Sequence, residues 1–360
     1  MALPKLTIVL PTDAKLEESE DSGILTRWQF YFSEISKHFE VEAYSCDTRD
    51  YSDKLTVKHC HLPFSMHFLP YGNQIFYNVY LLLKASSMSK NIRIIGATYF
   101  ILPLLKLFFR NNIILAYHYD YATTTMKDHG GIKGYTAGFR EWTSLKSADI
   151  ITYTSPELCS KIKNSDTCIV IPNFVDTSKF VPLEKDNFIL YAGRIHWHKG
   201  MDYLLEAFDE IEKIFPIGLK LAGKGDISFY KEKILKSGTK NVEFLGVIDN
   251  STMPSLMGKA KIFILPSVNR EGHPVALVEA MASGCACIAT DVPGNRELIQ
   301  HGINGLLVKP KNSHSIAGAI KSILDDDAIM RSLCTNAIIT SKKFSIDNTL
   351  KREIELLKSI

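Results

Sequence analysis

Two glutamates, Glu271 and Glu279, stand eight positions apart in the run "NREGHPVALVEAMASGCACIAT", whose other residues between them are apolar or small. The apolar run "KIFILP" precedes them and predicts a buried strand. Pro274 suits the first position of a helix, because its missing N–H has no intrahelical acceptor there. Gly284 suits the left-handed residue after the helix end. We therefore expect a loop at Glu271 and a helix that carries Glu279.

The chemistry that these residues could do follows from the helix N-terminus between them. Free N–H groups and a partial positive charge make such a terminus an anion site. Carboxylates beside it would repel the anion unless they bind hydroxyl groups. A nucleotide sugar fits this arrangement, because its phosphates could lie at the helix tip with a hydroxyl-bearing ring on each side. The alternative is that Glu271 is an exposed loop residue and Glu279 a solvated helix position.

A second loop supplies positive charge. The run "YAGRIHWHKGMDYLLEAF" places Arg194 and Lys199 after the predicted strand "FILYAG" and before another helix. A guanidinium and an ammonium group in such a loop can converge on a diphosphate. Solvated surface cations are the alternative, which a loop at the carboxyl edge of a strand disfavours. His196 and His198 stand two apart without further ligands at a defined spacing, so no metal site is predicted.

The elements that must position these loops alternate between short apolar strands and amphipathic helices, which is typical of parallel α/β architecture. The pattern restarts after "PNFVDTSKFVPLEKDN", so we predict two Rossmann-like, doubly wound domains with a boundary near residues 177–186 and a ligand crevice between them. The expected ranges are 1–178, 179–340 and a closing helix over 341–360, which could pack back on the first domain. The predicted strands are "KLTIVLPT", "FEVEAYSC", "IRIIGAT", "NIILAYHY", "DIITYTS" and "CIVIPN", then "FILYAG", "GLKLAG", "VEFLG", "KIFILP", "CACIAT" and "NGLLV".

Composition excludes several classes of protein. The net charge of +3 over 360 residues gives no global basic field, so nucleic acid is not an expected partner. Seven scattered cysteines predict reduced thiols, with Cys285 or Cys287 buried in a strand, rather than a disulfide framework or a zinc site. These features favour a cytoplasmic protein.

Membrane contact is at most peripheral in this interpretation. The most apolar run, "YFILPLLKLFFRNN", is interrupted by Pro103 and Lys106 and is shorter than the ~20 residues of a membrane span. Its part "LLKLFFR" ends at Arg110 and has two interpretations. It either rests on the inner face of a membrane that bears a lipid-linked acceptor, or is an ordinary amphipathic helix.

The motifs resemble those of a known family. The run "PSVNREGHPVALVEAMASGCACIATDVPGNRELIQHGINGLLV" resembles the signature of glycosyltransferase family 4, retaining enzymes of GT-B fold, and Glu271 and Glu279 match its E-x7-E element. "AGRIHWHKG" is similar to that family's G-R-x4-K-G loop, and "VIPNFVDTSKF" to its segment around P-N-G-V-D. The resemblance covers the second half strongly and the first half only in outline.

For the second half, the resemblance implies a residue-by-residue donor site. Arg194 and Lys199 would contact the donor diphosphate, Glu279 the ribose hydroxyls and Glu271 the transferred sugar. The loop and helix tip between the glutamates would complete the donor site with Gly272, His273, Pro274 and Val275.

In the first half, the resemblance implies that the loop at Gly23 approaches the donor and that His118 lies near the reacting carbon. A packed structural histidine is the alternative for His118. The family often has a glycine pair where this chain has Ser22 and Gly23, phenylalanine in place of His273, and glycine in place of Phe174. These departures bear on how closely the loop approaches the diphosphate and on the choice of sugar.

The expected function is sugar transfer, with retention, from a nucleotide-diphosphate sugar to a glycan, lipid-linked or small-molecule acceptor, without metal or cofactor. Other GT-B activities, a sugar-nucleotide epimerase or a sugar phosphorylase, are the first alternative. A non-catalytic nucleotide-sugar-binding subunit is the second, disfavoured by the intact Arg194, Lys199, Glu271 and Glu279. A nicotinamide dehydrogenase lacks its G-x-G-x-x-G after the first strand. The donor base and the oligomeric state leave no signal in the sequence.

Overall fold

The computed structural model describes residues 3–10, 24–45, 56–60, 72–96, 101–117, 131–160 and 168–360. The chain divides into two compact α/β units. The first comprises Met1–Ile171 with Arg352–Ile360, and the second comprises Pro172–Lys351. Two parallel-sheet units are the architecture that the restart of the strand pattern predicts.

The first unit is built on a sheet of seven parallel strands in the order β3-β2-β1-β4-β5-β6-β7. Six of these strands lie in predicted runs, and β3 was not predicted. The strands are β1 Lys5–Val9, β2 Glu40–Ser45, β3 Thr56–His59, β4 Asn91–Ile95, β5 Asn112–Tyr117, β6 Ile150–Tyr153 and β7 Cys168–Val170. The helical segments are Ile24–Ile35, Gly72–Lys84, Ala85–Ser87, Leu102–Leu104, Leu105–Phe109, Gly131–Ser147 and Pro156–Ser160.

A buried ion pair fastens the last helix, Ile346–Lys358, to the first sheet. Glu353 Oε1 lies 2.5 Å from Nη2 of Arg93, and both side chains are almost fully buried. Tyr31 Oη donates to the same carboxylate oxygen at 2.9 Å, and Arg93 Nη1 donates to Thr152 Oγ1 at 3.0 Å. Burial and the Glu353 carboxylate raise the pKa of Tyr31. The final residues of the chain therefore belong to the core of the first unit.

The second unit is built on a sheet of six parallel strands in the order β10-β9-β8-β11-β12-β13, all in predicted runs. Its central strands are apolar and buried on both faces, as in sheets covered by helices on two sides. The strands are β8 Asp186–Ala192, β9 Gly218–Ala222, β10 Val242–Gly246, β11 Ala260–Leu265, β12 Ala286–Thr290 and β13 Leu306–Val308. The helices are Trp197–Lys199, Met201–Ile211, Ile227–Ser237, Met253–Lys259, Val275–Ala282, Asn295–Leu298, Ser313–Asp325, Asp327–Ser341 and Lys342–Phe344.

The cysteines confirm one expectation and correct another. Cys285 and Cys287 are fully buried at β12, and burial raises the pKa of the Cys285 thiol to about 12. Cys159 and Cys168, in contrast, form a disulfide, so the expectation of reduced thiols is wrong for this pair. Cys159 lies in the helix Pro156–Ser160 and Cys168 begins β7, and contact between this helix and β7 accompanies a Cα–Cα distance of 6.1 Å, a proximity that spacing along the chain does not reveal.

In the described part of the chain, no helix combines the length and the apolar character needed to cross a membrane.

Candidate functional site

The site lies where the order of strands in the second sheet changes direction. Strands β8 and β11 are neighbours, but the chain passes from β8 outward to β9 on one side and from β11 outward to β12 on the other. At such a switch point, the loops after the two strands diverge and leave room for a ligand at the carboxyl edge. These loops are residues 193–200, after β8, and residues 266–274, after β11.

The two loops contact each other through backbone and side chains. The Val268 N–H donates to the His198 carbonyl at 3.0 Å, and Asn269 Nδ2 lies 3.0 Å from His198 Nδ1. Gly200 has φ +76°, and a Cβ there would stand 2.0 Å from the carbonyl oxygen of Pro266. Only glycine therefore permits this approach, which fixes the distance between the loops.

A lysine–glutamate pair spans the two loops. Lys199 Nζ lies 2.5 Å from Glu271 Oε1, and the side chains are 32% and 13% exposed. Ser267 Oγ donates a hydrogen bond to the same carboxylate oxygen. No hydrogen bond from a described residue reaches the other oxygen, Oε2. The pair thus holds an ammonium group and a carboxylate oxygen that accepts no hydrogen bond from the described residues, at the edge of the sheet.

Hydrogen bonds between buried polar residues support the serine that contacts this carboxylate. Thr290 Oγ1, at the end of β12, donates to the Ser267 carbonyl at 2.6 Å, and Asn295 Nδ2 donates to the Thr290 carbonyl at 3.0 Å. All three residues are at most 1% exposed. None of the three had a predicted role. A serine directly after the apolar run "KIFILP" is the signal that could have identified Ser267.

The backbone of Glu271 is fixed as well. Its N–H donates to the Pro293 carbonyl at 3.0 Å. Gly294 has φ +89°, and a Cβ there would lie 2.4 Å from the Glu271 carbonyl oxygen. The loop "DVPGN" after β12 therefore packs directly against the loop of Glu271, and its glycine permits the close approach.

Arg194 is exposed in the loop after β8, the loop that also carries Lys199. The hydroxyl of the buried Tyr191 donates to its carbonyl oxygen at 2.6 Å. Burial and the Glu271 carboxylate raise the pKa of Tyr191, whereas the Arg194 guanidinium lowers it. Lys199 contacts Glu271 directly, and Arg194 lies in the same loop as Lys199.

The predicted helix is present, with a correction at its start. Pro274 is the N-cap, with φ −72° and ψ 105°, and the helix begins at Val275, one residue later than predicted. Pro274 occupies the cap because its extended ψ lets its carbonyl accept from Leu277 N–H at 3.2 Å. The helix ends at Ala282, and Gly284 follows in the left-handed conformation with φ +65°, as predicted.

The remaining described residues of the predicted donor site surround this helix tip. Gly272 and Val275 are partly exposed, and Glu279 is half-buried on the helix. His273 is buried with its ring edge against Phe344, at a centroid distance of 4.9 Å. Its carbonyl accepts from Asn173 Nδ2 at 3.0 Å. The histidine that replaces the family's phenylalanine therefore packs as an aromatic ring.

Two predicted residues, Gly23 and His118, lie outside the described residues, and their roles stay predictions. Within the described ranges, no cluster of three His, Cys, Asp or Glu side chains could hold a metal ion. The acidic run at Asp325 to Asp327 lies at helix ends. Asp326 accepts from the N–H groups of Ala328 and Ile329 at 2.8 and 3.1 Å, as an N-cap does.

The region that contains this site is similar to known proteins. Residues 175–343 match the family described as "Glycosyl transferases group 1". An uncharacterized glycosyltransferase of Methanocaldococcus jannaschii is 34% identical over 178 residues, which are 49% of this chain and 45% of that protein. The phosphatidyl-myo-inositol mannosyltransferase of Mycolicibacterium smegmatis is 32% identical over 170 residues, 45% of this chain and 44% of that protein. The chain thus spans about half the length of these relatives.

Solved structures share the whole fold. HepE of Anabaena, in complex with UDP and glucose, has a TM-score of 0.77 and 17% identity over 99% of this chain and 100% of its own. Sucrose-phosphate synthase from Thermosynechococcus elongatus has a TM-score of 0.80 and 19% identity over 99% of this chain and 98% of its own. The predicted fold, two parallel-sheet α/β domains of the GT-B class, is therefore confirmed. The residues Arg194, Lys199, Glu271 and Glu279 all lie within the region that matches the glycosyl transferases group 1 model.

Proposed function

We propose that this protein is a metal-independent glycosyltransferase of the E-x7-E type that moves a sugar from a nucleotide-diphosphate sugar to a glycan, lipid-linked or small-molecule acceptor. The observation that carries this proposal is the Lys199–Glu271 pair at the switch point of the second sheet, beside a helix N-terminus. It combines positive charge for a diphosphate with an acceptor oxygen for a sugar hydroxyl. The name of the mycobacterial relative supports a lipid acceptor.

In this reaction the protein must stabilise the leaving diphosphate. The bond from the anomeric carbon to the diphosphate oxygen breaks, and its electron pair stays on that oxygen, where negative charge grows in the transition state. Lys199, Arg194 and the free N–H groups at Val275 act on this charge, and preorganised groups of this kind supply the largest catalytic effect. Glu271 Oε2 accepts from the sugar, since Oε1 is held by Lys199 and Ser267.

Retention belongs to the proposal through the family resemblance. A double displacement would need a carboxylate nucleophile on the opposite face of the sugar. The sequence offers no such residue at a predicted position, so we favour departure and attack on the same face, with His118 near the reacting carbon.

A panel of UDP-, GDP- and ADP-sugars tests the function. One donor should raise the melting temperature of the protein and be hydrolysed slowly without acceptor. Glu279→Ala should weaken binding of that donor by about 10-fold to 100-fold, since a ribose diol loses a charged acceptor worth about 1.5–3 kcal/mol. Calorimetry with the free nucleoside diphosphate checks the assignment, because equal affinity in wild type and variant would contradict the ribose contact.

Transfer should need no divalent metal. Arg194, Lys199 and the helix tip supply positive charge to the phosphates, so a cation would be redundant and partly repelled. After exhaustive treatment with EDTA, the protein should keep most of its activity with its best donor. Loss of activity that Mg²⁺ or Mn²⁺ restores would contradict the roles given to the two cations.

Ser267→Ala should lower transfer about 10-fold to 100-fold, because a hydrogen bond to a charged group contributes about 1.5–3 kcal/mol. Ser267 acts through Glu271, so the loss should appear in kcat with the donor sugar, whereas affinity for the free nucleoside diphosphate should be unchanged. Ser267→Thr keeps the hydroxyl and should restore most of the turnover. A loss of nucleotide affinity equal to the loss of kcat would indicate a general collapse of the loop instead.

A further inference from the structure

An exposed tryptophan lies in the loop that carries Lys199, and the proposed mechanism does not use it. Trp197 begins the single helical turn Trp197–Lys199 and is 51% exposed. Lys199, at the end of the same turn, pairs with Glu271 at 2.5 Å. The indole is therefore two positions away from a group that the proposed function assigns to the donor diphosphate.

The backbone of this turn is held in place by its own hydrogen bonds and by the neighbouring loop. The Gly200 N–H donates to the Trp197 carbonyl at 2.9 Å, and the His198 carbonyl accepts from the Val268 N–H at 3.0 Å. Gly200 also packs closely on the Pro266 carbonyl, with no room for a Cβ. A binding residue on a backbone fixed in this way loses little freedom when a ligand docks. Trp197 is thus preorganised for binding.

The imidazole of His198 covers one face of the indole. The centroids of the two rings are 3.4 Å apart, and their planes are inclined by 30°. His196 stacks in turn on His198 at 4.9 Å, and Asn269 Nδ2, from the loop after β11, lies 3.0 Å from His198 Nδ1. Because one face of the indole is covered, the exposed half of Trp197 includes the opposite face. The loop therefore presents one broad aromatic face to solvent.

A six-membered sugar ring matches this surface better than an acyl chain does. The C–H groups on one face of a sugar ring form an apolar surface, whereas its hydroxyl groups project at the rim and need polar partners. The side chains of the same loop that solvent reaches are charged or polar, namely Arg194, His196, His198 and Lys199. Ile195, the aliphatic residue of this loop, is fully buried. The loop thus surrounds the indole with polar groups and offers no apolar strip for an acyl chain.

We propose that the open face of Trp197 stacks on a sugar ring of the acceptor. This inference rests on the proposed function and narrows the acceptor, lipid-linked or free, to one that presents a six-membered sugar ring. In transfer on the same face of the donor sugar, the acceptor hydroxyl attacks beside the leaving diphosphate oxygen. The acceptor ring then lies next to the group that holds the diphosphate, Lys199, whereas Glu271 holds the donor sugar from the other loop. Trp197 is placed for the acceptor.

Saturation-transfer NMR tests the stack without turnover. The probes are the methyl glycosides of glucose, galactose, mannose and N-acetylglucosamine, each added with an excess of the nucleoside diphosphate that binds best. At least one glycoside should receive saturation, strongest at the ring protons of one face. Trp197→Ala should weaken its binding at least about 10-fold, because the aromatic contact is lost. Trp197→Phe keeps an aromatic ring and should retain most of the affinity. Phe229→Ala, at a 60% exposed aromatic residue of the second unit, is the matched control and should bind like wild type.

Three results of this titration would overturn the proposal. They are no saturation of any glycoside by the wild type, equal glycoside affinity in Trp197→Ala and wild type, and an equal loss in Phe229→Ala. If the wild type binds the nucleoside diphosphate in any of these cases, the proposed donor site stands without the stack. A wild type that binds no nucleotide would contradict the proposed function and, with it, the acceptor role of Trp197.

Calorimetry distinguishes the acceptor from the two parts of the donor. Trp197→Ala should bind the free nucleoside diphosphate and the intact nucleotide sugar as tightly as wild type, since the pair of Lys199 and Glu271 remains. A loss of affinity for the diphosphate would assign the indole to the nucleobase. A loss for the nucleotide sugar alone would assign it to the donor sugar. Either result would contradict stacking on the acceptor.

Discussion

Replacing Glu353 with alanine should lower the free energy of unfolding of the first unit by about 3–5 kcal/mol, the cost of leaving a buried charge without its partner. The Arg93 guanidinium would remain 5% exposed, with Thr152 as its hydrogen-bond acceptor. The hydroxyl of Tyr31 would lose its acceptor as well. Urea denaturation measures this change in the free energy of unfolding, in the transition in which the first unit unfolds.

Glu355→Ala is the matched control, because Glu355 lies two positions further along the same helix and is exposed. It should change the unfolding free energy by less than about 0.5 kcal/mol. The double variant Arg93→Met, Glu353→Leu removes both charges and should recover most of the stability. If Glu353→Ala unfolds with the same midpoint as Glu355→Ala, the pair contributes no net stability.

This ion pair shows what the sequence could not predict. Arg93 lies in the apolar run "IRIIGAT", and Glu353 lies 260 positions further along the chain in a charged helix. Hydrophobic periodicity locates a strand and an amphipathic helix, but it does not say which strand a terminal helix contacts. Pairing over such a separation is fixed by tertiary packing alone.

The sequence predicted the strands that lie in apolar runs and missed the one strand that does not. The predicted runs in both halves contain strands because parallel strands buried on both faces read as continuous apolar segments. Strand β3, "TVKH", lies at the edge of the first sheet and has one apolar residue in four positions. An edge strand of this composition gives no periodic signal, so pairing with β2 decides its conformation.

The candidate site likewise contains residues that the sequence could predict and residues that it could not. Arg194, Lys199 and Glu271 could be predicted because each lies in a loop directly after a recognisable strand, and parallel sheets gather such loops at one edge. The hydrogen bonds of Ser267, Thr290 and Asn295 that support the site could not be predicted, because such bonds between buried polar residues leave no pattern in the sequence. The one-residue error at Pro274 has a local cause, since proline is compatible with the cap and with the first helical position.

Replacing Lys199 with methionine should reduce sugar transfer by about 10²–10³-fold, the usual effect of removing one group that stabilises transition-state charge. The ammonium group contacts Glu271 at 2.5 Å and lies in a loop, so its loss would remove charge from the proposed diphosphate site without opening a core. Thermal unfolding should therefore change little. Steady-state kinetics with the best donor should show most of the loss in kcat, because the negative charge is largest in the transition state.

Lys220→Met is the matched control for this variant. The Lys220 side chain is 34% exposed and pairs with Glu243 at 3.5 Å, against 32% and 2.5 Å for Lys199 with Glu271, but it lies in strand β9 rather than at the switch point. It should transfer sugar at the wild-type rate. Arg194→Ala should resemble Lys199→Met, since the proposed function assigns both groups to the same phosphates. A Lys199→Met protein with a lowered melting temperature and unchanged kcat would show that this lysine supports only the loop, because a group that stabilises the leaving diphosphate cannot be removed without slowing its departure.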